Sequence, residues 1–419
     1  MTTTVIAAVI FVFTYALIVS ERVPRTLSAL AGAMLMIWLS VIPQEEAFHA
    51  IDFNVIFLLA GMMIIANVLR ETGVFQWIAV KAVILGKGRP YRILVIMSLI
   101  TAFSSALLDN VTVVVLVAPI TLYIASNLGV SPIPYLVAEI LASNIGGAAT
   151  LIGDPPNILI GSAAGIDFAT FLNHMFIPTF ISLAVFLALA WVLFRNELQA
   201  PKGRRALTEI DTSALITNPA LLSRALIVMA GTILLFLVHG ALHLEPATIA
   251  LTGATVLLIW TKQDLHHVLA EIEWPTLFFF IGLFITVEGV VAVGIIDAVA
   301  SAALRLTQGN LAVTTYLILW LSAVASGIID NIPYTATMIP LVESLGKSMP
   351  VGPLWWALAL GADLGGNATL VGASANVVIA SLAERSGHKL GFRDFLRYGI
   401  PTTFMALIIS SIYIWLRYL

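Results

Sequence analysis

No cysteine occurs anywhere in the 419 residues, which excludes disulfides, thiolate metal centres and thiol nucleophiles. Any soft ion must therefore meet oxygen, nitrogen or methionine sulfur. Charge is scarce as well: 10% of the residues are Asp, Glu, Lys or Arg, against roughly 25% in soluble domains. There is no basic stripe or soluble insert for nucleic acid. No Walker-type phosphate loop, HExxH pattern or Ser/His/Asp set is visible, so neither ATP-driven work nor hydrolysis has machinery, and no enzyme activity is expected. His266 and His267 are adjacent, without metal-ligand spacing, and neither a metal nor a cofactor is expected. What fills the chain is apolar: 60% of residues are hydrophobic and the mean hydropathy is +1.02. That composition defines a polytopic membrane protein. The run 5–19 lacks a basic n-region and a small-residue cleavage site, so it reads as a first span and not as a cleaved signal.

Apolar runs of spanning length lie at about 4–20, 25–42, 53–69, 174–194, 222–238, 246–261, 276–292 and 395–417. Two further segments are apolar only in pieces. Residues 143–157 read SNIGGAATLIGDPPN, and residues 362–376 read ADLGGNATLVGASAN. Each stretch puts paired glycines and polar side chains between two short apolar runs, where the middle of a bilayer belongs. Interrupted backbone at that depth is tolerated where it is buried in protein or lines a cavity. Its free helix-end N–H and C=O groups can hold a small solute or ion. Counting the broken helices 133–164 and 354–381 gives ten spans. Two more stretches, 93–125 and 312–343, carry polar centres at Asp109-Asn110-Val111-Thr112 and Asp330-Asn331 followed by Thr335. They read as re-entrant hairpins with Asp-Asn at the tips; very long tilted helices are the alternative.

The basic residues support this count. With the N-terminus outside, only Arg305, Lys347 and Arg417 fall outside and the other Lys and Arg residues fall in cytoplasmic loops, as the positive-inside rule requires. A polar linker at 196–221, with Lys202, Arg204 and Arg205, separates a first repeat (1–195) from a second (222–419). The halves match in register: Asp109-Asn110 answers Asp330-Asn331, and Gly146-Gly147 answers Gly365-Gly366. Five spans per half force opposite orientations. The expected fold is thus an all-α inverted repeat with two re-entrant hairpins and two broken helices, its solute site at the midplane. Without a nucleotide signature, coupling to an ion gradient is expected.

Intramembrane acids are the candidate ion carriers. Asp109 and Asp330 stand at the hairpin tips, where they pair or face a cavity, or else cap helix ends. Asp154 and Asp363 occupy non-equivalent places in the broken helices; Asp363 answers the neutral Asn144. A buried carboxylate can exchange a proton near neutrality, whereas Asp154, before proline, also suits an ordinary turn. Glu139 is expected to have a structural partner, and the histidines are expected on solvated loops.

The paired Asp-Asn hairpins and the two Gly-Gly motifs resemble the ion transporter superfamily over nearly the whole chain. Within it the chain is similar to the arsenite-permease and P-protein branch. The resemblance implies scaffold and transport domains and, often, a homodimer. It puts Asn110, Thr112, Asn144, Gly146, Gly147 and Thr150 of the first half at site-lining positions. Asn331, Thr335, Asp363, Gly365, Gly366 and Thr369 take those positions in the second. Acids at both tips suit a proton, a cation or a neutral polyol-like solute better than a dianion. The expected function is proton-coupled efflux of arsenite and antimonite across the bacterial cytoplasmic membrane. Sodium/proton exchange and carboxylate or chloride transport are the alternatives. The expected partners are a small inorganic solute, a proton, the lipid bilayer and a soluble ATPase docking on the 195–224 loop. A non-transporting scaffold would lack paired midplane acids.

Overall fold

The structure, a computed structural model, describes residues 2–20, 22–195, 197–198 and 215–419. The expected linker cluster Lys202, Arg204 and Arg205 lies outside the described residues, as does most of the loop expected to receive an ATPase. All regular structure among the described residues is helical. The first half holds α1 (Thr2–Ser20), α2 (Arg25–Trp38), α3 (Gln44–His49), α4 (Phe53–Glu71), α5 (Val74–Gly86), α6 (Pro90–Leu107), α7 (Asn110–Leu128), α8 (Ile133–Gly147), α9 (Pro155–Ala164) and α10 (Phe168–Phe194). The second holds α11 (Pro219–Leu242), α12 (Pro246–Thr261), α13 (Leu265–Ala270), α14 (Trp274–Ala292), α15 (Ile295–Thr307), α16 (Leu311–Ser326), α17 (Asn331–Gly346), α18 (Gly352–Gly365), α19 (Ser374–Arg385) and α20 (Phe392–Tyr418).

Local chemistry sets the ends. Asp52 and Asp167 cap α4 and α10 by accepting the N–H groups of Asn54 (2.9 Å) and Thr170 (2.8 Å). Gly129 and Gly165 close α7 and α9 in the left-handed conformation, with φ of 65° and 61°.

Helix pairings recur between the halves. α6 packs on α8 as α16 packs on α18, α4 on α12 as α14 on α2, and α7 on α19 as α17 on α9. Small residues make the closest crossings. A Cβ on Gly61 would meet the Ala250 backbone at 2.7 Å, and one on Gly282 would meet the Ala29 backbone at 2.6 Å. Between apolar helices in lipid, such close backbone approach supplies the van der Waals contact that holds a bundle together. Outward faces carry bare apolar side chains, among them Val5, Val12, Trp38, Phe103, Leu306 and Leu416.

The spans differ from expectation in detail. Seven helices among the described residues are long and apolar enough to cross a membrane: α1, α4, α6, α10, α11, α14 and α20. The runs expected to span at 25–42 and 246–261 form helices of 14 and 16 residues. At 1.5 Å per residue these reach about 21 and 24 Å, short of a hydrocarbon core of roughly 30 Å. α5 and α15, of 13 residues each, are additions to the expected elements; each is too short to stand out as a span. α15 meets α16 at 119°. The hairpin arms are also longer than the short helices expected: α6 and α7 have 18 and 19 residues and break only at Leu108 and Asp109.

The absence of cysteine makes the topology directly testable. Single cysteines at Arg89 and Ser131, beyond the two outer ends of α6 and α7, are both expected to react with an impermeant thiol reagent from the cytoplasmic face. Reaction from opposite faces would mean that one arm crosses the membrane.

Candidate functional site

Four helix N-termini converge on one small cavity. α7 contributes Asp109, Asn110 and Val111; α9, Asp154 and Pro155; α17, Asn331 and Ile332; and α19, Ser374. Arg25, Glu273 and Thr276 complete the polar wall of a space of about 20 Å³, room for roughly one water. The positive ends of the four helix dipoles, about half a charge each, face a group of carboxylates.

Asp154 sits at the centre. It occupies the N-cap position of α9 but makes no side-chain cap bond. Pro155 and Pro156 follow it, and neither has an N–H to be capped; the next N–H, of Asn157, donates to the Asp154 backbone carbonyl (3.0 Å). The carboxylate is therefore free to turn across the bundle. Its Oδ2 accepts from Asn110 Nδ2 (2.7 Å) and its Oδ1 from Asn331 Nδ2 (3.2 Å). Both hairpin tips are thus tied to one acid of the first broken helix. Asn110 Nδ2 also donates to Asn144 Oδ1 (3.2 Å), and Asn144 Nδ2 donates to Asn367 Oδ1 and Asn376 Oδ1, both at 3.0 Å. These groups are buried, and an amide network is tolerable there because its members are bonded to one another.

Each break is closed by an asparagine from beyond it. Asn157 Nδ2 donates to the carbonyls of Gly147 (3.3 Å) and Thr150 (3.0 Å). Asn376 Nδ2 donates to those of Gly366 and Thr369, both at 2.8 Å. The Gly147 and Thr369 carbonyls also accept the N–H groups of Thr150 (3.4 Å) and Gly372 (3.3 Å); those of Thr150 and Gly366 depend on the asparagines.

The expected site residues fall into distinct roles. Asn110, Asn144, Asn331 and Asp154 form the central network. Asp109 caps α7, accepting from the Thr112 N–H (2.9 Å) and hydroxyl (2.5 Å). Asp330 caps α17 through the Ile332 N–H (3.0 Å) and also meets Ser374 (2.6 Å) and Arg25 (3.3 Å). The Thr150 and Thr369 hydroxyls donate, each at 2.6 Å, to the Ala106 and Gly327 carbonyls; they tie the hairpins to the breaks. The Thr335 hydroxyl is buried without a partner, and so are both oxygens of Asp363, which is 0% exposed.

Gly146 and Gly365 face neighbouring backbone. A Cβ on Gly146 would lie 2.2 Å from Ala102 O, and one on Gly365 would lie 2.5 Å from Ala323 Cα. Gly147 and Gly366 stand inside the breaks, against Gly153 and Gly372.

Sequence reasoning passed over Asn157, Asn376, Asn367 and Arg25. The first two end both repeated motifs at the same offset, a signal that was present. Arg25 has none, since its partner lies 305 residues away. Glu139 has the structural partner expected, the Thr121 hydroxyl at 2.5 Å. His239 is buried and not on a solvated loop: its Nε2 accepts from the Phe168 N–H (3.0 Å) and its Nδ1 meets Leu244 O (2.9 Å). Holding two chain turns together gives it this place.

A helical membrane bundle with broken helices around a buried polar cluster defines a membrane transporter. The citrate transporter family model matches residues 15–361, and the chain belongs to that family, within the ion transporter superfamily. It is 46% identical over 428 residues to an uncharacterized transporter of Mycobacterium tuberculosis, covering 99% of both chains. It is 45% identical to a 46 kDa membrane protein of Mycobacterium leprae, again over 99% of both. The human P protein is 34% identical over 496 residues, which cover 98% of this chain and 59% of that protein. Among solved structures, the Alcanivorax borkumensis YdaH transporter matches with a TM-score of 0.57 at 16% identity, over 85% of this chain and 84% of that one. That last likeness concerns the fold alone. The protein is a multi-pass transporter of the cell membrane.

Proposed function

We propose that the chain is a proton-coupled secondary transporter that exports a small uncharged oxyacid, of the arsenite and antimonite kind, and carries out no chemical step on it. The observation that carries this reading is the pair Asp154 and Asp363. Both are buried at the breaks, one held by two asparagines and the other without any partner. An intramembrane acid of this kind takes and returns protons. Around the cavity, Asp109, Asp154, Asp330 and Glu273 oppose Arg25 and four helix N-termini. The net balance is negative by roughly one charge when each N-terminus counts about half, which favours a proton and a neutral solute over a polyanion. Amide, hydroxyl and carboxylate groups suit a trihydroxide, and no thiol is needed. The inverted orientation of the two halves belongs to the same proposal and is supported by the exchanged helix pairings.

Arg25 favours a second reading, transport of a carboxylate, and the family's description as citrate transporters is in keeping with it. Arg25, however, is already engaged by Asp330 and Ser374. Uptake of arsenite, antimonite and citrate into everted vesicles, with and without a proton gradient, separates the readings. Gradient-dependent uptake of citrate alone would overturn the first. Arg25→Gln is the companion test. With a neutral solute its half-saturation should change less than about threefold. Loss of a direct ion pair to an anion should raise it at least roughly tenfold, since charged hydrogen bonds are worth about 1.5–3 kcal/mol.

A further inference from the structure

The two breaks are built alike except at one contact. In the second half, Asn376 spends both amide protons on Gly366 and Thr369, and its Oδ1 receives an N–H from Asn144. In the first half, Asn157 likewise spends both protons on Gly147 and Thr150. The residue standing where the repeat places Asn144 is here Asp363 of α18, which packs against α9; on α9, Asn157 stands where the repeat places Asn376. Asn157 Oδ1 is buried without a partner, as are both oxygens of Asp363. As a carboxylate, Asp363 has no hydrogen to give, so acceptor would face acceptor with no donor between them. A buried arrangement of that kind is costly. One proton removes the conflict.

We infer that Asp363 carries its proton in this conformation and donates it to Asn157 Oδ1, reproducing the Asn144–Asn376 bond of the other half. Asn157 is then a positioning residue for proton coupling. The inference rests on the coupling role proposed above for Asp363 and gives it a partner. On release, the Asp363 O–H bond breaks, the proton passes to water and a carboxylate is left facing Asn157 Oδ1. The relief available is for Asn157 to turn an amide N–H to that carboxylate. Doing so abandons the Gly147 and Thr150 carbonyls and loosens the first break. Proton occupancy and the shape of the break are in this way one equilibrium.

The neighbouring groups are consistent with this assignment. Asp154 is the acid facing Asp363 from the α8–α9 break, with Asp330 and Asp109 at the hairpin tips beyond it. Glu139 on α8 is held by Thr121. His174 of α10 stacks on Trp356, near the N-terminal end of α18 and two turns from Asp363. Asp154 receives an N–H on each oxygen and is satisfied as a carboxylate. A metal ion at Asp363 would want about six oxygens, and three stand orphaned there.

Infrared difference spectra of the purified protein in lipid test the inference without any solute, so the outcome is independent of what is transported. Wild type minus Asp363→Asn should show the C=O stretch of a protonated carboxylic acid, shifted in D2O. The band should survive in Asp154→Asn and move to higher wavenumber in Asn157→Ala, where the acceptor is gone. Absence of an acid band from the difference spectrum would mean an ionised Asp363 and would overturn the proposal; a band indifferent to Asn157 would do the same. Because Asn157→Ala also removes the clamp on the break, melting of Asp363→Asn and Asp363→Leu is compared as well. The amide of the first can donate to Asn157 Oδ1 and should keep the wild-type midpoint, whereas the second should melt clearly lower. Equal midpoints would count against the bond.

Discussion

Asp363→Asn is expected to insert, fold and exchange solute across everted vesicles, yet fail to accumulate it in response to a proton gradient. The substitution keeps the volume and hydrogen-bonding reach of the side chain and removes only its ability to titrate. It also gives Asn157 Oδ1 an N–H in place of the acid proton, so the break closes as it does in the second half. One-for-one antiport holds roughly a tenfold solute gradient for each pH unit, about 1.4 kcal/mol; the variant should bring that ratio to about one. Counterflow of preloaded solute is the control, because it needs binding and reorientation but no proton. Accumulation at the wild-type rate would remove Asp363 as the essential carrier and shift the role to Asp154. Asp109 and Asp330 are weaker successors, since both are occupied as helix caps.

The same residues show how far a sequence can be read. The breaks were legible because glycine pairs and polar side chains inside an apolar stretch have few tolerable places in a bilayer, and because the pattern occurs twice. The hairpin tips were legible as Asp-Asn pairs, but their division of labour was not. Asp and Asn at a helix start are equally good caps, and it takes coordinates to see that the acids cap while Asn110 and Asn331 reach Asp154. The proline pair after Asp154 reads as a turn signal. Its consequence is that the first two positions of α9 offer no N–H, while the third, that of Asn157, goes to the Asp154 backbone carbonyl (3.0 Å); this follows only once the acid is seen pointing elsewhere. Arg25 was invisible for a different reason: its partners Asp330 and Ser374 lie in the other half, and nothing local marks such a contact. α5 and α15 carry no comparable mark, because short helices packed against the hairpins need not match the thickness of a membrane.

Gly146→Val is expected to lose the folded protein, not only transport, and Gly365→Val the same. Glycine beside a polar motif suggests close approach of backbone to a ligand, but here the approach is between helices. A Cβ on Gly146 would stand 2.2 Å from Ala102 O and 2.5 Å from its Cα, and one on Gly365 would stand 2.5 and 2.6 Å from Ala323 Cα and O. These are backbone atoms, so no side chain can swing away; α6 would have to move off α8, or α16 off α18. Overpacking of a tight core costs about 1–3 kcal/mol and sometimes more. A clash with helix backbone belongs at the upper end, enough to lower the melting midpoint by several degrees or to abolish a monodisperse peak in detergent. Gly231→Ala is the matched control, since nothing lies within 4 Å of its added Cβ, and it should behave as wild type. If Gly146→Val instead purifies at wild-type yield and melts at the wild-type temperature while transport is lost, the glycine faces the solute during the cycle. The packing assignment would then be wrong.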